Sequence, residues 1–471
     1  MPEIDSDATP AHAVPWARLP RALKPFRLLQ YRLLATALTL SLLGAGMWIV
    51  AVVWQVIALG GGPAELSLVA TGNAIGMLVA VLFGGVLADR VPQRNILIVV
   101  EATKTLSIAA TAVLALSGTL ELWHLVVITL ILGVADGFFY PAYSALLPSI
   151  LPADDLLAAN GVEGMLRPTI MQAAGPALAS AAIAAFSPGL AFALVAGAQL
   201  LAVGGLALIR TTPVRREIGE PQHPLRALTS DLREGFVYMW KTPWLLGTLV
   251  FACLLILVIM GPIEVLLPFA VRDQTGGGPA AFALVLAAFG IGGAIGSLVV
   301  ASLRLPRRYL TIMNLLWGAG CIPLFIIGYT SQLWVMVIAL FIVGFTFSAA
   351  TVIWGTLLQR RVPPALLGRV SSLDFFVSLA LMPISMAVAG PVGEAIGLAP
   401  AFLAAGVIPV ILAVATILFF RLPRDEIRHP LDPVADVDAP DAAPSALDDG
   451  NRPDVATTPV ERHTEPVDRG E

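Results

Sequence analysis

The sequence predicts an all-α integral membrane protein with twelve transmembrane helices. Hydrophobic residues make up 57% of the 471 residues, charged residues only 13%, and the mean hydropathy is +0.85. Soluble globular proteins carry about 25% charged residues, so this composition excludes a soluble fold. Long apolar runs have to cross a bilayer as helices, because hydrocarbon offers no hydrogen-bond partner to free backbone groups.

Twelve apolar runs, each of about 20 residues, follow one another along the chain. They cover 33–59, 66–88, 95–117, 122–147, 164–185, 189–209, 244–270, 280–303, 309–330, 333–358, 370–394 and 398–420. Most of the loops between them are short, which favours antiparallel packing of neighbouring helices.

The positions of lysine and arginine predict the orientation of these helices. If the N-terminus is cytoplasmic, 26 of the 28 basic residues fall in cytoplasmic segments, the exceptions being Lys104 and Arg272. Cytoplasmic loops of membrane proteins are enriched in basic residues. We therefore expect both termini to be cytoplasmic.

Composition divides the chain into five parts. The longest internal loop separates two sets of six spans, and the C-terminal segment is rich in Pro, Ala and Asp. Such an acidic segment cannot bury enough apolar surface to fold, so we expect a disordered cytoplasmic tail. The predicted parts are an N-terminal cytoplasmic segment 1–30, a first half 31–210, a central cytoplasmic loop 211–243, a second half 244–421 and a tail 422–471.

Two spacings predict that the halves are an internal repeat. Gly85 and Gly296 lie 211 positions apart at what we interpret as the starts of equivalent loops. Pro152 and Pro363, in the next cytoplasmic loop of each half, have the same separation. Six-helix halves related by a pseudo-two-fold axis are therefore expected.

A short charged loop joins the second and third apolar runs. Its pattern resembles the loop between helices 2 and 3 of the major facilitator superfamily of secondary transporters, with matches at Gly85, Leu87, Ala88, Asp89, Arg90 and Arg94. The resemblance implies the major facilitator fold, and it implies that Gly85, Asp89, Arg90 and Arg94 form a cytoplasmic latch between the halves. The alternative is a charged turn that only sets topology.

The fifth apolar run, 164–185, carries Gly175 and Pro176, which resemble the Gly-Pro motif of the drug:proton antiporters in that superfamily. Proline removes a helix hydrogen bond and glycine permits close helix approach, so we expect a tightly packed bend. Three further stretches resemble a bacterial exporter group that includes the enterobactin exporter and macrolide efflux proteins: 136–148, 231–243 and 368–372. This resemblance implies an exporter in the bacterial inner membrane but does not specify its substrate. We expect a secondary active transporter that exports small amphipathic molecules, such as drugs, siderophores or secreted metabolites, by proton antiport through alternating access.

Acidic residues within the spans are candidate proton carriers, because ionisable groups at membrane depth are costly and usually functional or paired. Asp136 has no base within four positions on its own helix, so we expect an unpartnered carboxyl, and the resemblance to the superfamily implies that its position lines the cavity. Glu264, between Pro262 and Pro268, is the second candidate, and Asp374 is the third. The alternative for each is a structural acid whose hydrogen bonds are satisfied.

Other charges are spaced for pairing within one helix. Glu163 and Arg167 are four apart, which predicts a helix pair first and part of the cytoplasmic gate second. Arg369, before helix 11, is assigned to the same gate. Glu101 and Lys104 are three apart on a peripheral helix, and we expect them to pair with each other.

No enzyme signature is visible in the sequence. It contains no phosphate-binding loop, no zinc-type His/Cys spacing and no nucleophile elbow, and Cys253 and Cys321 sit inside apolar runs. We expect no catalytic residue, metal, cofactor or nucleic-acid partner. The expected partners are a small-molecule solute, protons and the bilayer, with a monomeric chain. Two alternatives stay open: an importer or lysophospholipid flippase of the same fold, and a transport-inactive membrane sensor or assembly partner.

Overall fold

The structure is a computed structural model that describes residues 21–88, 90–210 and 224–431. Throughout this part of the chain the secondary structure is helical, with no β-strand. The predictions that concern Asp89, residues 1–20, residues 211–223 and the tail from 432 onward lie outside these residues. The predicted all-α class is confirmed for the described chain.

The first half contains seven α-helices after a short 3-10 helix at Arg21–Arg27. They are α1 (Leu29–Ala58), α2 (Pro63–Ala88), α3 (Gln93–Leu116), α4 (Leu122–Ile150), α5 (Ala153–Leu166), α6 (Gly175–Ala185) and α7 (Pro188–Ala207). A π-helical segment, Arg167–Ala174, joins α5 to α6 without a break.

The second half is preceded by α8 (Pro224–Lys241), the helix of the central loop. Ten further α-helices follow, and a π-helical segment at Pro262–Leu266 joins the first two of them. They are α9 (Pro243–Gly261), α10 (Leu267–Thr275), α11 (Pro279–Ser302), α12 (Tyr309–Ala319), α13 (Ile322–Ile327), α14 (Leu333–Arg361), α15 (Pro364–Ala380), α16 (Met382–Ile396), α17 (Leu398–Phe419) and α18 (Leu422–Arg428).

Among the described residues, 11 helices are long and apolar enough to cross a membrane. The remaining predicted span, 164–185, corresponds to the end of α5, the π-helical segment and α6. We call the end of the helices that carries Arg27, Arg94 and Arg361 the basic face. The other end, which carries the turns at Gly60 and Gly118, is the opposite face.

Glycine allows two helix pairs to pack with their backbones in contact. A Cβ atom on Gly76 of α2 would lie 2.3 Å from the Leu130 carbonyl oxygen of α4, and one on Gly133 of α4 would lie 2.0 Å from the Asn73 carbonyl oxygen. In the second half, α11 and α14 make the equivalent contact: Gly292 faces the Phe341 carbonyl at 2.1 Å. Any larger residue at these positions would force the helices apart.

The helix bounds show that the number of residues separating equivalent positions of the two halves is not constant. α4 and α14 begin at Leu122 and Leu333, which are 211 positions apart, and Pro152 and Pro363 cap α5 and α15 with the same separation. In α2 and α11, however, the separation is 216, because these helices begin at Pro63 and Pro279.

The predicted equivalence of Gly85 and Gly296 is therefore wrong. Gly296 is buried inside α11 against the Phe345 carbonyl, several residues before that helix ends. The physical reason lies in the third helix of each half. This helix has 24 residues in the first half, whereas the matching span Tyr309–Ile327 has 19. The five-residue difference accounts for the change in separation from 211 to 216 at α2 and α11.

The segment after the last span is ordered at its start, which corrects the predicted disordered tail 422–471. The helix α18 lies on the basic face, where Asp425 accepts a hydrogen bond from Arg361 at 2.6 Å. Glu426 is 1% exposed, and its carboxylate accepts the N–H groups of Leu310 and Thr311 at 2.9 and 3.1 Å. A remote acid thus caps the first turn of α12, whose backbone donors would otherwise lack an acceptor.

We predict that Glu426→Ala destabilises the second half. The buried Leu310 N–H and the partly buried Thr311 N–H lose their acceptor, which should lower the free energy of unfolding by about 1–3 kcal/mol. The thermal unfolding midpoint in detergent, followed by tryptophan fluorescence, measures the effect. Asp273→Ala, which breaks an exposed ion pair with Arg272, is the control and should change the midpoint little. An unchanged midpoint for Glu426→Ala would contradict the capping role.

Candidate functional site

A cavity of about 280 Å³ lies between the two halves. Its walls are mostly apolar and come from both halves, including Trp48, Ile49, Val52, Leu66, Met171, Met382 and Met386. The polar groups in it come mainly from the first half: Asn73, Lys104, Thr129, Asp136 and Gln199, with Glu264 from the second half. The site therefore combines apolar surface with a few polar and charged groups.

The charged part of the cavity wall is a cluster on α3 and α4. The Lys104 ammonium lies 2.5 Å from Asp136 Oδ1 and 3.8 Å from Glu101 Oε1. Ser41 of α1 donates a hydrogen bond to Glu101 Oε1 at 2.7 Å. Lys104 and Glu101 are buried, whereas the Asp136 side chain is 44% exposed and faces the cavity. With both acids ionised, the cluster carries a formal charge of −1.

This geometry corrects two expectations from the sequence. Asp136 was expected to have no partner, but it is paired with Lys104 from the neighbouring helix. Glu101 and Lys104 do pair, yet the shorter contact of Lys104 is to Asp136. Spacing along one helix cannot reveal a partner on another. The available signal was the lone lysine within a predicted span.

Glu264 enters the cavity from the second half, in the π-helical segment Pro262–Leu266. Pro262 and Pro268 cannot donate backbone hydrogen bonds, and the Leu267 N–H reaches the Pro262 carbonyl five residues back. Among the described residues, none donates a hydrogen bond to the Glu264 carboxylate or forms an ion pair with it. The wide turn thus presents an acid that is exposed to the cavity.

The Gly175–Pro176 pair lies where the first π-helical segment ends. The Gly175 N–H reaches the Ile170 carbonyl, and Pro176 follows without a donor. A Cβ on Gly175 would lie 2.8 Å from the Gly46 Cα of α1. This close approach brings Met171, one turn earlier, to the cavity wall.

Asp374 does not line this cavity. It lies on α15, where the Trp354 indole N–H donates to its Oδ2 at 3.0 Å and the Ser378 hydroxyl contacts its Oδ1 at 3.4 Å. The structure therefore brings Asp136 and Glu264 to one cavity and places the third candidate acid elsewhere.

The predicted gate residues lie at separate points toward the basic face. Arg167 pairs with Glu163 at 3.2 Å, as their spacing predicts, and both line a second cavity of about 460 Å³.

Arg94 donates to the Leu206 and Ala207 carbonyls at the end of α7. Arg369 pairs with Glu234 of α8, Arg90 is exposed, and Gly85 lies near the end of α2.

On the opposite face the two halves are in direct contact through α2 and α16. A Cβ on Gly390 of α16 would lie 2.1 Å from the Pro63 carbonyl oxygen of α2. The Gly390 N–H donates to the Ser67 hydroxyl at 2.7 Å. The two halves are therefore packed backbone to backbone at this point of the opposite face.

The sequence profile of a family described as transmembrane secretion effectors, within the major facilitator superfamily, matches residues 21–447. The chain belongs to this family. It is 28% identical over 390 residues to the multidrug efflux pump Tap of Mycolicibacterium fortuitum, covering 80% of this chain and 93% of that protein. Similarity to macrolide efflux protein A of Streptococcus pyogenes is lower, at 24% identity, covering 73% and 84% of the two chains.

Solved structures show the same fold. The nucleoside transporter NupG aligns with a TM-score of 0.67 at 13% identity, covering 83% of this chain and 99% of that protein. At this identity the likeness concerns the arrangement of helices alone. The chain is thus a multi-pass membrane transporter with the major facilitator fold.

We predict that Lys104→Gln destabilises the protein more than the loss of a surface charge. Removing Lys104 leaves two acids without their cation, and breaking a buried ion pair costs about 3–5 kcal/mol. The thermal unfolding midpoint of the purified protein should fall, and adding Glu101→Gln should restore part of it. Lys241→Gln, an exposed position, is the control. A midpoint equal to the parent's would show that Lys104 does not stabilise the cluster.

Proposed function

We propose that this protein exports small amphipathic molecules in exchange for protons, by alternating access of the cavity to the two sides of the membrane. The observation that carries the proposal is the Asp136–Lys104–Glu101 cluster, which opens onto a cavity between the halves. The efflux functions named for the similar proteins agree with export from a bacterial cytoplasm across the inner membrane.

The cavity wall supports an amphipathic substrate with a cationic group. Tryptophan and methionine side chains offer apolar surface that adapts to different shapes, because methionine is flexible and polarisable. Glu264 lines the cavity, and none of the described residues forms an ion pair with it. A solute with a positive charge on an apolar body would supply the missing partner.

The cluster supports proton exchange. Lys104 has two carboxylates within reach, and only Asp136 is exposed to the cavity. When Asp136 takes up a proton it loses its attraction for Lys104, and the ammonium can turn fully to Glu101. Uptake of one proton also brings the formal charge of the cluster to zero. Because an uncompensated charge at membrane depth is costly, the protonation state can bias which conformation is favoured.

Alternating access requires a latch on each face. On the basic face, which we propose to be cytoplasmic, we assign that role to Gly85, Asp89, Arg90 and Arg94, with Glu163, Arg167 and Arg369 completing the gate. The bend at Gly175–Pro176 supplies a flexible point beside the cavity. A monomer with both termini in the cytoplasm is sufficient for this cycle.

We predict that transport consumes the proton gradient. Adding ethidium or tetraphenylphosphonium to energised everted vesicles should partly collapse the pH gradient, because each exported cation is exchanged for protons. A fluorescent pH probe measures the collapse, and vesicles without the protein are the control. Accumulation that continues undiminished after full protonophore treatment would exclude proton exchange.

We predict different defects for the two cavity acids. Asp136→Asn keeps the shape and removes the titratable proton, so gradient-driven ethidium export should be lost while ethidium binding persists. Glu264→Gln should instead weaken ethidium binding several-fold, because a neutral amide no longer attracts the cation. Binding and transport are measured on the same purified, reconstituted variants, with Asp273→Asn, an exposed acid outside the cavity, as the control. Export by Asp136→Asn at the parental rate would contradict its role.

A further inference from the structure

Helix α2 begins without a side-chain cap of its own. Gly62 precedes Pro63 at the position where Ser, Thr, Asp or Asn usually accepts a hydrogen bond from the first-turn N–H groups. Glu65 supplies half of a capping box, since its Oε2 accepts the Gly62 N–H at 2.7 Å. The other half requires an oxygen that glycine does not have.

The missing oxygen comes from the other half of the protein. Glu394 of α16 accepts the Ala64 N–H with its Oε1 at 2.9 Å. A Cβ atom on Gly62 would lie 3.1 Å from that same oxygen. The Glu394 carboxylate thus occupies the place where a capping side chain at position 62 would stand.

The cap belongs to the contact between α2 and α16 on the opposite face. Ser67, which is 1% exposed, accepts the Gly390 N–H, and Gly390 touches the Pro63 carbonyl. All these contacts join α2 of the first half to α16 of the second half. Opening this face would break them together.

We propose that Glu394 is a gate-positioning residue that holds the opposite face closed by capping α2 from the other half. The proposal rests on the alternating-access function proposed above. When the face opens, α2 loses its cap, which by the typical value of an N-cap changes the closed-to-open ratio by roughly fivefold. This mechanism requires glycine at position 62. A capping side chain within α2 would accept the Ala64 N–H in both the closed and the open state and remove the preference for the closed state.

The test measures the distance across the opposite face. In a Cys253→Ala/Cys321→Ala background, spin labels are placed at Ser117 and Ser331, which are exposed on this face in the first and second halves. Pulsed electron double resonance in nanodiscs then gives the populations of short and long distances. Glu394→Ala should raise the long population about fivefold relative to the short one. Glu394→Gln, which keeps the shape, should raise it less.

Gly62→Asp separates a gate role from a structural role. This substitution supplies the cap within α2 and displaces Glu394, so it should open the face as Glu394→Ala does while the thermal midpoint stays level or rises. The double variant should open the face no further than either single variant, because both remove the same interaction.

Glu121 provides a matched control. It also caps a helix on the opposite face, α4, but its partners lie within the first half, where it forms a capping box with His124. Glu121→Ala should lower the thermal midpoint without changing the ratio of distances. An equal change for Glu121→Ala and Glu394→Ala would overturn the proposal.

The remaining outcomes are distinct. If the parent shows both distances but Glu394→Ala and Gly62→Asp leave their ratio unchanged, the gate role is wrong and alternating access stands. If the parent shows one distance with and without ethidium at every pH, alternating access itself fails, and the gate role fails with it.

Discussion

Contact between helix backbones at glycine is the constraint on which this structure depends. Lipid chains are as apolar as leucine, so helices in a membrane gain little by hiding apolar side chains from their surroundings and associate instead by close packing. Gly76 and Gly133 lock α2 to α4, and Gly292 does the same for α11 and α14. Each half thus contains a pair of helices whose backbones are in contact, and the cavity lies between the halves.

The glycine contact between α2 and α4 also determines where the charged cluster points. Gly133 and Gly137 lie on either side of Asp136 along α4, and both meet α2 closely enough to exclude a Cβ atom. The rotation of α4 is therefore fixed, and Asp136 is directed to the cavity and to Lys104 of α3. A lysine in the middle of a bilayer is tolerated because two acids and a serine share its surroundings. The glycine packing of α4 against α2 thus determines which side chain Asp136 meets on α3.

Much of the fold could be predicted from the sequence because its signals are local. Apolar length reveals the spans, and the four-residue spacing of Glu163 and Arg167 reveals their pair. The Lys104–Asp136 contact joins two helices whose relative rotation depends on glycine packing, so no spacing along the chain encodes it. The register of the repeat was misjudged at Gly296 because a shortened third helix leaves the hydrophobic pattern of its neighbours intact. The order of α18 was missed because its acids look solvated until their partners on α12 and α14 are known.

The capping of α12 by Glu426 has a consequence for biosynthesis. The donor and acceptor are separated by more than a hundred residues, so α12 enters the membrane long before its acceptor has been translated. Until the last span has left the ribosome and α18 has reached the basic face, the first turn of α12 depends on water for its hydrogen bonds. The second half therefore completes its structure only after its final span is inserted. A nascent chain that stalls just after Phe419 would contain every span, but the first turn of α12 would remain uncapped and exposed to the cell's quality-control machinery.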